Sequence, residues 1–156
     1  MFNVLKKLFT SSANNKHDDS YISVSENEMN SQLITKIIEL ENLGKRYSKE
    51  LQKDYAKRFE ESGMKNLKIW LHRDIDGDEI EILTPERFFE KEYRSVVAIN
   101  FDSNDNGNDF VTYLQLWYYY GGYKKGEGTL YNSSKRDLKM DIEKILKEIL
   151  SNRYSM

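Results

Sequence analysis

Asp109-Phe110-Val111-Thr112-Tyr113-Leu114-Gln115-Leu116-Trp117-Tyr118-Tyr119-Tyr120 is the stretch on which the fold turns. It reads as one long strand, and side chains on a strand alternate between two faces. One face carries Phe110, Leu114 and Leu116. The other carries Tyr113, Gln115, Trp117 and Tyr119. The first set requires a core. The second is amphipathic and suits a contact surface, because Tyr and Trp bury large area while keeping a polar handle.

Upstream, Tyr93 to Phe101 reads as a partner strand, joined through the loop Asp102 to Asp109. With Phe101 opposite Phe110, Val97, Ile99 and Leu114 share the apolar face. Ala98 then lies across from Tyr113, and Arg94 across from Trp117. A guanidinium over an indole is a favourable stacked pair, about 0.5–1 kcal/mol when exposed. Earlier still, Asn66 to Ile75 and Asp78 to Leu83 flank Asp76-Gly77, a favoured hairpin turn. That turn pairs Leu71 with Ile82, His72 with Glu81, and Trp70 with Leu83. Leu67, Ile69, Leu71, Ile80 and Ile82 fall on one face. Lys68, Trp70, His72, Glu79 and Glu81 fall on the other.

Downstream, Gly121-Gly122 turns the chain into Tyr123 to Tyr131, a strand loosened by Gly126 and Gly128. Regular pairing would put Lys125 and Glu127 toward the core, so a bulge or an edge strand is expected. The two glycines would leave a shallow trough beside Trp117.

Two helices frame these strands. Ser25 with Glu28 matches a capping box. Met29, Leu33, Ile37, Leu40, Tyr47, Leu51, Tyr55 and Phe59 form one apolar stripe, ended by Ser62-Gly63; Gly44 inside it marks either a break or a close contact. The last helix, capped by Ser133 or Ser134, carries Leu138, Ile142, Ile145, Leu146 and Ile149. A short helix starts at Thr84-Pro85-Glu86. The expected class is α+β: an antiparallel sheet of about five strands, with a long N-terminal helix and a C-terminal helix packed on one face. Residues 26–156 form that single domain. Residues 1–25 form an amphipathic N-terminal peptide and a flexible linker.

Composition narrows function by exclusion. The net charge is -2 and charged residues make up 32% of the chain, which argues against a general polyanion binder. Cysteine is absent, excluding disulfides, thiol catalysis and thiolate-held metal. No apolar run reaches the length of a membrane span. A cytoplasmic setting is expected. In the N-terminal peptide, Phe2, Leu5 and Phe9 share one face of a helix, suited to weak contact with a membrane surface or a partner.

Candidate sites follow from the second sheet face. Trp70, His72, Tyr113, Gln115, Trp117 and Tyr119, rimmed by Glu79, Glu81 and Arg94, would dock another protein. Trp117→Ala should then abolish partner capture and leave the thermal midpoint nearly unchanged. A small inhibitor or toxin-neutralising, immunity-type protein of bacterial origin fits that profile. A small enzyme or ligand-binding domain using His72, Glu81 and Gln115 is the first alternative, and a homodimerising structural protein is the second. No catalytic residue is assigned and no cofactor is implied. Asp102-Ser103-Asn104-Asp105-Asn106-Gly107 opens like a calcium loop, but Tyr113 stands where the bidentate glutamate belongs. Aromatic residues on an open sheet also stack nucleic-acid bases, yet the acidic rim and the absence of an RNP-like stretch argue against that use.

Overall fold

The computed structural model describes residues 20–80, 84–103, 109–121 and 126–154. Along them run β1 (Tyr21–Ser25), a 3-10 turn (Glu26–Glu28), α1 (Ser31–Glu61), β2 (Met64–Ile75) and β3 (Asp78–Glu79). A second 3-10 turn (Pro85–Phe89), β4 (Tyr93–Ser103), β5 (Asp109–Tyr120), β6 (Glu127–Tyr131) and α2 (Leu138–Tyr154) follow. The six strands form one antiparallel sheet in the order β1-β6-β5-β4-β2-β3. The class is α+β, as the sequence predicts.

The long helix is built as its stripe demands. Leu33, Ile37, Leu40, Leu51, Tyr55 and Phe59 are all buried in the core. Gly44 is a point of close approach and not a break. A methyl group there would sit 3.1 Å from Leu116 Cδ1 and 3.3 Å from Val97 Cγ2. The helix starts later than expected. Asn30 is its cap, accepting from Leu33 N–H at 3.0 Å. The Ser25–Glu28 pairing holds the preceding 3-10 turn instead. The cap of α2 is likewise Asp137, whose side chain accepts from Met140 N–H, and not Ser133 or Ser134. The two helices lie side by side, with Tyr55 donating to Glu143 and Lys139 paired with Glu50.

Three strand expectations need correction. Tyr21–Ser25, read as linker, is an edge strand, so the sheet has six strands. β6, read as a bulged or edge strand, lies between β1 and β5. The irregularity falls in β5: Ser95 pairs with Trp117 but Val96 pairs with Gln115, leaving Leu116 as the extra residue of a β-bulge. Up to that point the hairpin is as predicted, with Phe101 opposite Phe110 and Ala98 opposite Tyr113. Beyond it every side chain changes face. Trp117 and Tyr119 turn toward the helices, and Arg94 pairs with Tyr118 instead of Trp117.

The bulge resolves the misfit foreseen for β6. Glu127 now pairs with Tyr120 and stays exposed, while Leu130 pairs with Trp117 in the core. Its glycines do not leave a trough. A methyl group on Gly128 would lie 2.1 Å from Trp117 Cη2, and one on Gly126 would lie 2.1 Å from Tyr119 Cε1. The rings occupy the space that side chains would otherwise take. Trp117 is 0% exposed, and its indole N–H donates to the Phe88 carbonyl at 2.8 Å. Phe88 packs edge-on against Tyr93, centroids 5.4 Å apart. The second 3-10 turn thus seals the indole from outside.

Two predictions follow from this packing. Overpacking of this kind costs about 1–3 kcal/mol, so Gly128→Ala should lower the unfolding free energy in urea by that order. Trp117→Ala, which deletes a buried ring, should cost about 3–5 kcal/mol. A Trp117→Ala protein with an unchanged thermal midpoint would contradict the sealed position.

Candidate functional site

The sheet face turned away from the helices is the candidate site. Its side chains follow from register. On β2, Lys68, Trp70, His72 and Asp74 stand opposite Asn100, Ala98, Val96 and Arg94 on β4. On β5, Tyr113, Gln115 and Tyr118 stand opposite Ala98, Val96 and Arg94. Glu79 on β3 lies beside Asp74. Among the described residues no helix packs on this face. Its floor is the buried pair Val96 and Ala98, and the residues around them are half-buried.

Charge on this face is organised by Asp74, which is buried. Its Oδ2 accepts from Arg94 Nη2 at 2.8 Å and lies 3.1 Å from His72 Nε2. The Arg94 guanidinium then lies over Tyr113, 4.8 Å from the ring centroid. Lys68 sits over Trp70 at 4.6 Å, and Trp70 meets His72 edge to face at 6.5 Å. Both cations are therefore held on aromatic faces, an attraction of about 0.5–1 kcal/mol at exposed sites. At the far end Tyr118 O–H donates to Glu92, whose other carboxylate oxygen takes Gly121 N–H. Tyr118 and Tyr120 form a tilted ring pair with centroids 6.1 Å apart, and Tyr120 is exposed.

Of the residues singled out from the sequence, the structure brings Trp70, His72, Glu79, Arg94, Tyr113 and Gln115 to this face. Trp117 and Tyr119 are on the opposite face, 0% and 5% exposed. Glu81 lies outside the described residues. The hairpin geometry leading toward it is as expected, with Asp76 and Gly77 at φ 51° and 89° and Asp74 opposite Glu79. Described residues give His72 a different carboxylate neighbour, Asp74. Phe2, Leu5 and Phe9 also lie outside the described residues, as does most of the Asp102–Asp109 loop. Asp102 itself accepts from Asn66 Nδ2 at 2.7 Å.

Asp74, Tyr118, Tyr120 and Glu92 were not anticipated. Asp74 was detectable, since it continues the alternation of Lys68, Trp70 and His72. Tyr118 and Tyr120 were hidden by the bulge. Beneath the sheet a second ionic cluster ties it to α1. Glu41, 2% exposed in its side chain, accepts from Arg73 at 2.7 Å and from Tyr93 O–H at 2.7 Å. Burying such a pair is tolerable because each charge finds its partner there. No group of three or more potential metal ligands occurs among the described residues, and none of the described helices is long and apolar enough to cross a membrane.

No family model, curated protein or solved structure matches this chain.

Several tyrosines titrate high. Burial, then the bond to Glu92, pushes Tyr118 up to about 12. Burial and Glu26 push Tyr119 up to about 12 as well. Burial with the neighbouring Glu41 or Asp141 raises Tyr93 and Tyr131 further. A phenol raised in the fold stays protonated after the unfolded chain has begun to ionise near pH 10. The stability it contributes is whole below about pH 10 and is lost as pH rises through the folded value. The urea-unfolding free energy should thus fall between about pH 10 and 12, and Tyr118→Phe should make the fall shallower. An identical slope in that variant would contradict the assignment.

Proposed function

We propose that this chain is a protein-binding domain that docks its partner on the open sheet face. Trp70, Tyr113, Tyr118 and Tyr120 are the anchors, Arg94 and His72 set orientation, and Gln115 and Glu79 lie at the margin. The observation that carries this reading is the state of Arg94. Its guanidinium is held between the buried Asp74 and the ring of Tyr113, on a face rich in half-buried aromatics. Binding normally costs the ordering of long side chains. Here that ordering is largely complete in the free chain. Trp, Tyr and Arg are also the residues that dominate protein–protein hot spots.

A small cytoplasmic inhibitor or toxin-neutralising protein of bacterial origin is the biological class, by analogy of type. The partner is a protein and not a nucleic acid. In support, Glu79 and Glu92 border the face and the chain is slightly acidic overall.

Pull-down from the native host tests the proposal, using the wild type, Trp70→Ala, Tyr113→Ala and a control at Lys53→Glu on the outer face of α1. The wild type and the control should capture the same protein. Both aromatic variants should lose it while melting near the wild-type temperature. Undiminished capture by Trp70→Ala and Tyr113→Ala would overturn the assignment of this face.

A further inference from the structure

Tyr118 and Tyr120 stand two positions apart on β5, beyond the bulge, with ring centroids 6.1 Å apart and planes inclined at 55°. Tyr120 is 51% exposed. A carboxylate stands on each side of the pair. Toward β4, Glu92 takes the Tyr118 O–H at 2.7 Å and the Gly121 N–H at 2.8 Å. Toward β6, the exposed Glu127 lies directly across from Tyr120, so their side chains share a face.

Glu92 is held in place against its backbone preference. Its φ of 71° lies in the left-handed region, which suits glycine and is uncommon for other residues. Two main-chain bonds fix it: its N–H donates to the Tyr119 carbonyl at 2.6 Å, and its carbonyl accepts from Asp76 N–H at 3.1 Å. Strained positions that the surroundings enforce in this way concentrate at ligand clamps.

The negative charge beside the rings is uncompensated among the described residues. Neither Glu92 nor Glu127 is in an ion pair there. Arg94, opposite Tyr118 in register, is tied to Asp74 and lies over Tyr113. Lys91 pairs with neither carboxylate. Elsewhere on this face the ring surfaces already carry cations, Lys68 over Trp70 and Arg94 over Tyr113. No described cation stacks on Tyr118 or Tyr120.

On the basis of the docking function proposed above, we infer that the Tyr118–Tyr120 pair, between Glu92 and Glu127, seats an arginine or lysine side chain of the docked protein. A cation within about 6 Å of a ring centroid is held by the ring's quadrupole, and one placed over the gap between these rings meets both. The Tyr118 proton is given to Glu92, so toward the partner that oxygen accepts, which suits a guanidinium or an ammonium group. The partner thus brings positive charge to this end of the face.

Ethylguanidinium mimics the arginine head, and N-ethylurea is its neutral isostere. Each is titrated at constant ionic strength into the full isotope-labelled chain and followed by NMR. With ethylguanidinium, the ring protons of Tyr118 and Tyr120 and the Gly121 amide should shift along one saturating curve. With N-ethylurea they should stay put. The rings of Trp70 and Tyr113 should hardly move with either. Tyr120→Ala and Glu127→Gln, both at exposed positions, should each weaken the binding about two- to five-fold. Equal shifts with N-ethylurea, or equal shifts at Trp70 and Tyr113, would overturn the proposal. So would a many-fold gain in affinity in the double variant Lys124→Ser, Lys125→Ser, because the chain's own lysines would then be the occupant. The titration involves no partner. A saturable seat in a chain whose capture survives Trp70→Ala and Tyr113→Ala would refute the docking function and with it this occupant. Capture lost in those variants, with no saturable shift, would refute the seat alone.

Discussion

The indole of Trp117 rests on bare backbone at Gly128 and gives its N–H to the carbonyl of Phe88. Both contacts require the ring to be on the helix side of the sheet. Strict alternation from Leu114 and Leu116 would put it on the other side. The extra residue at Leu116 reconciles the two by adding one position to β5 and reversing its phase. Leu116 and Trp117 are then both fully buried, side by side along one strand. The charged end of β6 is kept outside, and the second 3-10 turn gains a fixed seat over the core. The same reversal delivers Tyr118 and Tyr120 to the open face in place of Trp117 and Tyr119.

The two faces of the sheet use buried carboxylates in different ways. Glu41 reaches down from α1 and binds Arg73 and Tyr93, locking helix to sheet. Asp74 sits within the sheet and holds Arg94 and His72 on the opposite surface. Its charge is spent internally, so the outward character of that surface is set by rings and by the remaining donors of Arg94. The arrangement is rigid because it is built on strands and not on loops.

Much of the architecture was legible because it rests on local rules. The stripe from Leu33 to Phe59, the Asp76-Gly77 turn and the Phe101–Phe110 register each follow from periodicity or turn chemistry, and each appears in the structure. Two features were not legible for physical reasons. A bulge leaves no mark on its own strand, and its only trace was the poor fit of Glu127 on the next strand. Tyr21–Ser25 is short and flanked by polar residues, so its strand character comes from pairing with β6 and not from its own composition. Of the residues read onto that face from β2, β3 and β4, register places Trp70, His72, Glu79 and Arg94 there, with Arg94 opposite Tyr118 instead of Trp117, while Glu81 lies outside the described residues. From β5, Tyr113 and Gln115, which precede Leu116, fall on that face, and Trp117 and Tyr119, which follow it, do not.

Exchange of the two indole N–H protons with solvent deuterium tests the central claim most directly, since the chain has only two tryptophans. Trp70 is half-buried on the open face, whereas Trp117 lies under its own chain and is hydrogen-bonded. The Trp117 proton should exchange only through openings that disrupt the core, far more slowly than that of Trp70. Equal, rapid exchange at both rings would mean that β5 has no phase reversal at Leu116 and that the indole faces water.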